Sequence, residues 1–382
     1  MTPNPIPILL SAGEASGDMY AARLATALQQ RLNVKIFGLG GDQMRAAGVD
    51  IIADYHEVSV VGITEILSHL PSLIRAMRKL VAAARQRKPA LAILTDFPGF
   101  HLRLARKLLP LGVRNVYYIC PQFWAWRPWR ANLVRRRFVQ ALCIFPFEED
   151  FFRERSVNAK FIGHPLVGTV QPTLSREQFA AKHNLDPRNP IITLLPGSRW
   201  GEISRHFPTM LESCRELERL APAAYNFVLA VAPGIDLARL RTLIAPDRHP
   251  TIVQNETYNA LASADAALVC SGTATVEAAL LDTPMAVVYR VTPITALLAK
   301  PLVRTKFFSM VNLIAGRAVV PELIQGDFTA PRAAAELRRL LDPAFSSELR
   351  RGLAEVRARL GPPGAIDRAA DAIAALLQRA AH

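Results

Sequence analysis

Four short segments combine residue types and spacings that can do chemistry. Ser11-Ala12-Gly13-Glu14-Ala15-Ser16-Gly17-Asp18 carries two glycines, Gly13 and Gly17, that let backbone approach a ligand, and Glu14, Ser16 and Asp18 offer polar contacts. It lacks the Gly-Lys-Ser/Thr ending of a P-loop. Thr95-Asp96-Phe97-Pro98-Gly99-Phe100 sets a carboxylate among aromatic rings beside a Pro-Gly turn, an arrangement suited to a general base of tuned pKa. Pro196-Gly197-Ser198-Arg199 offers the backbone N–H groups around Gly197, the Ser198 hydroxyl and the Arg199 fork to a phosphate or diphosphate. Ser271-Gly272-Thr273-Ala274-Thr275-Val276-Glu277 opens a helix with small hydroxyl residues, an anion site, and Glu277 lies one turn in, where it can bind ribose hydroxyls. The same residues also fit plainer roles: Ser16 or Asp18 as a helix cap, Asp96 as a turn former, Arg199 as a surface arginine, and the last segment as a well-capped helix.

Such residues act together only on a scaffold. Strand-length apolar runs alternate with longer segments of helical periodicity, which predicts an α/β fold of parallel sheets covered by helices. In the first half the expected strands are Ile6–Ala12, Val34–Leu39, Ala90–Thr95, Val116–Cys120, Leu142–Phe145 and Phe161–Gly163. In the second they are Ile191–Leu195, Phe227–Val231, Thr251–Gln254, Ala267–Cys270 and Met285–Tyr289. All four segments directly follow a strand, where open α/β sheets bind ligands. The polar, proline-containing stretch Val170–Pro190 has no strand pattern and marks the boundary. The expectation is two Rossmann-like domains facing a cleft, 1–168 and 169–345, followed by C-terminal helices over 346–382 interrupted at Pro362-Pro363-Gly364.

Composition narrows the class. A chain of 382 residues, 51% hydrophobic and 20% charged, has enough apolar surface for packed cores, so disorder is excluded. The net charge of +14 favours phosphates, nucleic acid or an anionic membrane as partner. Cys120, Cys143, Cys214 and Cys270 never form C-x-x-C and read as reduced core thiols. The first basic residue is Arg23, so no secretory signal is expected, and no apolar run reaches the roughly 18 residues of a membrane span. A cytoplasmic protein follows. Within it, Ile63, Ile66, Leu67, Leu70, Leu73, Ile74, Met77 and Leu80 recur at helical spacing beside Arg75, Arg78 and Lys79. This pattern fits a helix lying in a membrane interface, and equally a core-facing helix broken near Pro71. Trp124, Trp126 and Trp129, interleaved with Arg127, Arg130 and Arg135–Arg137, can anchor at an interface or pack beside a solvated basic face.

Taken in order, Gly13–Asp18, Thr95–Phe100, Trp124-Ala125-Trp126-Arg127, Gly163-His164-Pro165-Leu166, Leu195–Arg199 and Ser271–Thr275 resemble the lipid-A-disaccharide synthase family, as do Asn312–Gly316 and Pro321-Glu322-Leu323. The match is collinear from about residue 8 to about residue 325. The resemblance implies an inverting GT-B glycosyltransferase that needs no cofactor and no metal. It would join UDP-2,3-diacylglucosamine to 2,3-diacylglucosamine 1-phosphate (lipid X), giving a β(1→6) disaccharide phosphate and UDP. It also implies a peripheral protein of the cytoplasmic face of the inner membrane, and a homodimer with exchanged C-terminal segments. On this footing Asp96 is the base, and Arg199 with Ser271-Gly272-Thr273 stabilises the leaving diphosphate. Glu277 reads the ribose, Asn312 holds uridine or phosphate, and Glu14 and Ser16 line the acceptor side. No Asp-x-Asp triplet, the usual metal–diphosphate clamp of the other large glycosyltransferase class, occurs in the chain.

The chain departs from the family with Cys120-Pro121-Gln122 in place of Ser-Pro-Ser, and with Ser309-Met310-Val311-Asn312 in place of Ser-Leu-Pro-Asn. Two rivals compete. Another UDP-N-acetylglucosamine enzyme, a peptidoglycan glycosyltransferase or a 2-epimerase, is separated by turnover with and without an acylated acceptor. A nucleic-acid-binding protein fits the charge but lacks an RNP, KH or zinc-finger signature, so no nucleic-acid partner is expected. His56 and His164 are not assigned catalytic roles; His164, between a strand and Pro165, positions a loop.

Overall fold

Among the described residues, largely apolar runs of three to seven residues form thirteen strands in two all-parallel sheets. The computed structural model describes residues 4–58, 66–244, 250–292, 295 and 305–378, and it divides into two units, Met1–Pro165 with Gly361–His382, and Leu166–Leu360.

The first unit runs β1 (Ile6–Ala12), α1 (Ala15–Arg31), β2 (Val34–Gly40), α2 (Asp42–Ala46), β3 (Asp50–Asp54), α3 (Ile66–Arg87), β4 (Leu91–Thr95), α4 (Pro98–Leu108), β5 (Arg114–Tyr118), α5 (Phe123–Trp126), α6 (Ala131–Arg137), β6 (Gln140–Cys143), α7 (Pro146–Arg153) and β7 (Ala159–Phe161). Its strand order is β3-β2-β1-β4-β5-β6-β7. The second unit runs α8 (Arg176–Lys182), β8 (Ile191–Leu195), α9 (Trp200–Leu220), β9 (Asn226–Val231), α10 (Leu237–Arg241), β10 (Thr251–Gln254), α11 (Thr257–Ala262), β11 (Ala266–Cys270), α12 (Thr273–Leu280), β12 (Met285–Tyr289), α13 (Met310–Ala315), β13 (Glu322–Ile324), α14 (Ala330–Leu340) and α15 (Pro343–Arg359), with strand order β10-β9-β8-β11-β12-β13. The last helix, α16 (Ala365–Gln378), returns to the first unit.

Helices cover both faces, so central strands are apolar without alternation: every residue of β4, β8 and β11 is buried. Strand order reverses between β1 and β4 in one sheet and between β8 and β11 in the other. Ala12 pairs with Thr95, and Leu195 with Val269, so the four chemical loops emerge in adjacent pairs at the two switch points.

Several expectations need adjusting. β3 and β13 are additional strands, short pieces at sheet edges. β5, β6 and β7 end about two residues earlier than the apolar runs suggest, and β5 stops where Ile119 takes a left-handed φ of 55°. Helix α3 continues through Pro71 rather than breaking there. The 345/346 boundary falls inside α15, which packs on α12 and α13, whereas α16 packs on α1. Arg31 fixes α16 through Asp371 at 2.7 Å and Asp367 at 2.8 Å, and Arg368 donates to the Ile162 carbonyl at 2.8 Å.

Candidate active site

At the first switch point the loops after β1 and β4 touch. Gly13 has no room for a side chain: a Cβ there would lie 2.2 Å from the Phe97 ring. Asp96 and Phe97 are both left-handed, with φ of 48° and 45°, a conformation that costs a non-glycine residue about 1–2 kcal/mol. Hydrogen bonds converge on the Asp96 backbone. Its N–H donates to the Tyr118 carbonyl at 3.2 Å, and its own carbonyl accepts from the Tyr117 hydroxyl at 3.1 Å and from His101 Nδ1 at 2.8 Å. The far nitrogen of His101 faces Ser11 Oγ at 2.8 Å. Burial pushes the Asp96 carboxyl up to about 6, with the Glu14 carboxylate adding to the rise. Glu14 and Ser16 are exposed, Gly17 is buried against Ala12, and Asp18 is spent on the start of α2, accepting from Gly41 N–H at 2.6 Å and Gln43 N–H at 3.0 Å.

Behind this loop lies a carboxyl that the sequence reading missed. Glu148, on the first turn of α7, is wholly buried and accepts from Trp124 Nε1 at 3.2 Å and from the Phe145 N–H at 3.3 Å. Burial raises it to about 8, against the pull of those donors. Trp124 is therefore an internal contact, while Trp129 is 59% exposed. His164 is buried against Phe145, and burial lowers its pKa to about 4.

In the second unit Gly197 has φ of 130°, and a Cβ there would lie 2.6 Å from Glu202. The Glu202 carboxylate folds back over the loop and accepts from the N–H groups of Ser198 at 3.0 Å and Arg199 at 3.3 Å. The donors offered to a phosphate by sequence are thus capped internally, and the exposed Arg199 guanidinium stands 3.9 Å from the same carboxylate. His206 braces the loop from below, bonding the Pro196 carbonyl at 2.8 Å and accepting from the Arg290 N–H at 2.9 Å. At the neighbouring strand end Gly272 and Thr273 are exposed and Ser271 Oγ donates to the Phe308 carbonyl at 2.9 Å. Thr275 is buried and donates to the Gly272 carbonyl at 2.8 Å. Glu277 accepts from the Tyr258 hydroxyl at 3.2 Å, and burial raises its pKa.

Asn312 is spent inside the fold. Its amide donates to the Val320 carbonyl at 2.9 Å and to Glu322 at 2.8 Å, and its oxygen accepts from Val319 N–H at 2.7 Å and Val320 N–H at 3.0 Å. Asn312 is thus buried, with its amide donors and its oxygen bonded within the fold.

Charge is distributed unevenly. Residues 66–137 hold 15 Lys and Arg against one acid, Asp96, so this stretch carries the whole net +14 and the remaining 31 bases and 31 acids cancel. Within it, helix α4 adjoins both α3 and α6. On α3, Leu73 packs against the core with Met77 and Leu80, whereas Leu70 and Ile74 are 47% and 44% exposed. The apolar stripe expected of one interface is thus split between two faces, because positions four and seven apart turn to the sheet. Leu70, Pro71, Ile74, Arg75, Arg78 and Lys79 line an open groove of about 570 Å³. Ile63 and the side chains of Ile66 and Leu67 lie outside the described residues. No helix among the described residues is long and apolar enough to cross a membrane.

The fold resembles solved GT-B glycosyltransferases: the glycotransferase of kitacinnamycin, with a TM-score of 0.64 and 16% identity over 98% of this chain and 100% of that one, and the calicheamicin glycosyltransferase CalG4, with a TM-score of 0.62 and 18% identity over 99% and 100%. A UDP-GlcNAc 2-epimerase from Neisseria meningitidis, solved with UDP-GlcNAc, has a TM-score of 0.61 at 12% identity over 98% of this chain and 100% of that one. The family model described as lipid-A-disaccharide synthetase matches residues 8–351. Lipid-A-disaccharide synthase of Solibacter usitatus is 47% identical over 97% of each chain, and that of Myxococcus xanthus is 44% identical over 98% of each. The chain therefore belongs to the lipid-A-disaccharide synthase family, glycosyltransferases of lipid A biosynthesis.

Proposed function

We propose that the chain transfers the glucosaminyl group of UDP-2,3-diacylglucosamine to the 6-hydroxyl of lipid X, with Asp96 as general base. The acceptor oxygen attacks the anomeric carbon as its proton passes to the Asp96 carboxylate. The bond from that carbon to the diphosphate breaks and UDP leaves, so the configuration inverts to β. The observation that carries the reading is Asp96 itself: a carboxyl at the β1/β4 switch point, held in a left-handed turn, with a pKa of about 6. At neutral pH it is ionised, yet closer in pKa to its task than a surface carboxylate.

Negative charge grows on the diphosphate as the bond breaks. The exposed Arg199 guanidinium and the N-terminus of α12 at Ser271-Gly272-Thr273 are suited to stabilise it, and Glu277 to accept from ribose hydroxyls. Glu14 and Ser16, exposed beside Asp96, are suited to the acceptor. The acyl chains of both substrates call for access from a bilayer. The cationic stretch 66–137 with exposed Leu70, Ile74 and Trp129 supports a peripheral position on the anionic cytoplasmic face of the inner membrane. A homodimer that exchanges C-terminal segments would make the α16–α1 contact, with Arg31 on Asp367 and Asp371, between chains instead of within one.

The test is conversion of labelled lipid X with UDP-2,3-diacylglucosamine and EDTA, by wild type and by Asp96→Asn. Disaccharide from wild type and a loss of at least a thousandfold in the variant is expected. A folded wild type that makes no disaccharide refutes the substrate pair, and an active Asp96→Asn refutes the base.

A further inference from the structure

The left-handed pair Asp96–Phe97 is unstable by itself, and two side chains from different elements bind the one carbonyl that fixes it. We infer that His101 and Tyr117 are positioning residues for the glycosyl transfer, clamping the Asp96 carbonyl from α4 and β5 so that its carboxylate is aimed at the acceptor hydroxyl. This rests on the reading of Asp96 as the base.

Chemistry fixes the direction of each bond. A carbonyl only accepts, so His101 Nδ1 carries the proton it shares with Asp96 at 2.8 Å. The ring is wholly buried and desolvation lowers its pKa to about 4, so it is neutral and Nε2 is bare. Ser11 Oγ, 2.8 Å away at the end of β1, then donates to Nε2 and selects that tautomer. The Tyr117 hydroxyl adds the second donor to the same oxygen at 3.1 Å, from a ring buried in the core. Three neighbouring strands thus converge on one turn: β1 through Ser11, β4 through Asp96 itself and β5 through Tyr117. The Phe97 ring closes the arrangement, edge-on to His101 at 5.7 Å between centroids and against Gly13.

Clamping has a consequence that packing alone does not. Released from its turn, Asp96 would swing toward water and lose the desolvation that raises its pKa. The titratable groups facing it are Glu14 from the β1–α1 loop, Tyr117 on β5, Cys120 beyond β5 and Glu148 on α7. His101 is neutral throughout pH 5–9 and Glu148 titrates near 8, so the acid limb of the rate profile reports Asp96.

The experiment measures kcat and KM for disaccharide synthesis from pH 5 to 9 for wild type, His101→Leu, His101→Asn, Tyr117→Phe and Asp96→Asn, at a temperature where circular dichroism shows each folded. His101→Leu should lower kcat ten- to a hundredfold with both KM values within threefold, and move the acid limb from near 6 toward the ordinary carboxylate range. His101→Asn keeps an N–H near the Nδ1 position and should recover most of both effects. Tyr117→Phe removes one oxygen and should lower kcat about three- to tenfold with the same sense of limb shift; it carries the test if His101→Leu does not fold. An unmoved limb in His101→Leu and Tyr117→Phe overturns the inference, as does His101→Asn performing no better than His101→Leu. If Asp96→Asn is active or wild type has no limb near 6, the base reading falls instead; an inactive Asp96→Asn beside normal clamp variants overturns only the clamp.

Discussion

Removing the exposed apolar and cationic side chains of α3 should release the protein from anionic bilayers in two separable steps. Leu70 and Ile74 are 47% and 44% exposed, so about half of each side chain remains to be buried. Full burial of such a side chain contributes about 1.5–3 kcal/mol, so the half left over is worth about 1 kcal/mol each. Leu70→Ser with Ile74→Ser should therefore weaken vesicle binding by about 2 kcal/mol, roughly thirtyfold. Arg75, Arg78 and Lys79 are exposed beside them, and each cation near an anionic surface contributes about 1 kcal/mol. Their triple change to Gln should cost about 3 kcal/mol, roughly 150-fold, at low salt. The assay is co-sedimentation with phosphatidylethanolamine–phosphatidylglycerol vesicles at 0.05 and 0.5 M NaCl. Salt should abolish most of the difference made by the Gln changes and little of that made by the Ser changes, because only the first is Coulombic. Met77→Ser, on the core side of the same helix, should lower Tm without a matching loss of binding per folded molecule. Vesicle binding unchanged by both sets, with the fold intact, would refute the interfacial assignment of α3.

Other perturbations test the scaffold. Gly13→Val places carbon 2.2 Å from the Phe97 ring and should reduce kcat more than tenfold while Tm moves little, since both loops lie at a sheet end and not in the core. Asn312→Ala strands buried N–H and carbonyl groups and should destabilise the second unit by about 3 kcal/mol or more in urea titration. Its UDP affinity per folded molecule should be nearly unchanged, which a direct ligand contact would not allow. For α16, Ile373→Ala empties a fully buried site and should cost about 2–4 kcal/mol, whereas Arg31→Ala, whose partners Asp367 and Asp371 are mostly exposed, should cost less than about 1 kcal/mol.

Much of the fold is legible in the chain because parallel strands buried on both faces are written as unbroken apolar runs. Ile6–Ala12, Ile191–Leu195, Thr251–Gln254 and Met285–Tyr289 coincide with observed strands at both ends. Edge strands carry that signature less surely: Thr251–Gln254 is legible although only Val253 in it is buried, whereas Glu322–Ile324 is three residues long with one buried side chain, too little for a pattern. The same limit applies at the site. Asp96 announces itself as a carboxylate before Pro-Gly, but His101 has no local mark, since its partner Ser11 is 90 positions away and Tyr117, which shares the Asp96 carbonyl with it, is 16 away, and only the strand order brings them together. Glu148 could have been suspected as an acid following Phe-Pro-Phe at a helix start, yet its burial depends on Trp124 from another loop. Asn312 shows the reverse limit: it sits in a recognisable motif, but its bonds to Val319, Val320 and Glu322 are set by a turn that the motif does not announce.

Asp96 is the one acid in a stretch with 15 cations, and still its carboxyl is raised to about 6 instead of lowered. The reason is dielectric. Arg75, Arg78, Lys79, Arg103, Arg106, Lys107, Arg135 and Arg136 are exposed, and exposed charges act through water and are screened by salt. Burial and the Glu14 carboxylate act on Asp96 locally, where screening is weak, so they decide the sign. A raised folded pKa means the base is lost as pH falls through about 6, and Glu14→Gln should shift that loss to lower pH by removing the like charge. Raising NaCl from 0.05 to 0.5 M should leave the acid limb of kcat nearly in place in wild type, although it weakens membrane attachment, provided substrates are presented in detergent micelles. A limb that moves upward with salt as far as Glu14→Gln moves it downward would mean the long-range cationic field, and not the local shell, sets the base.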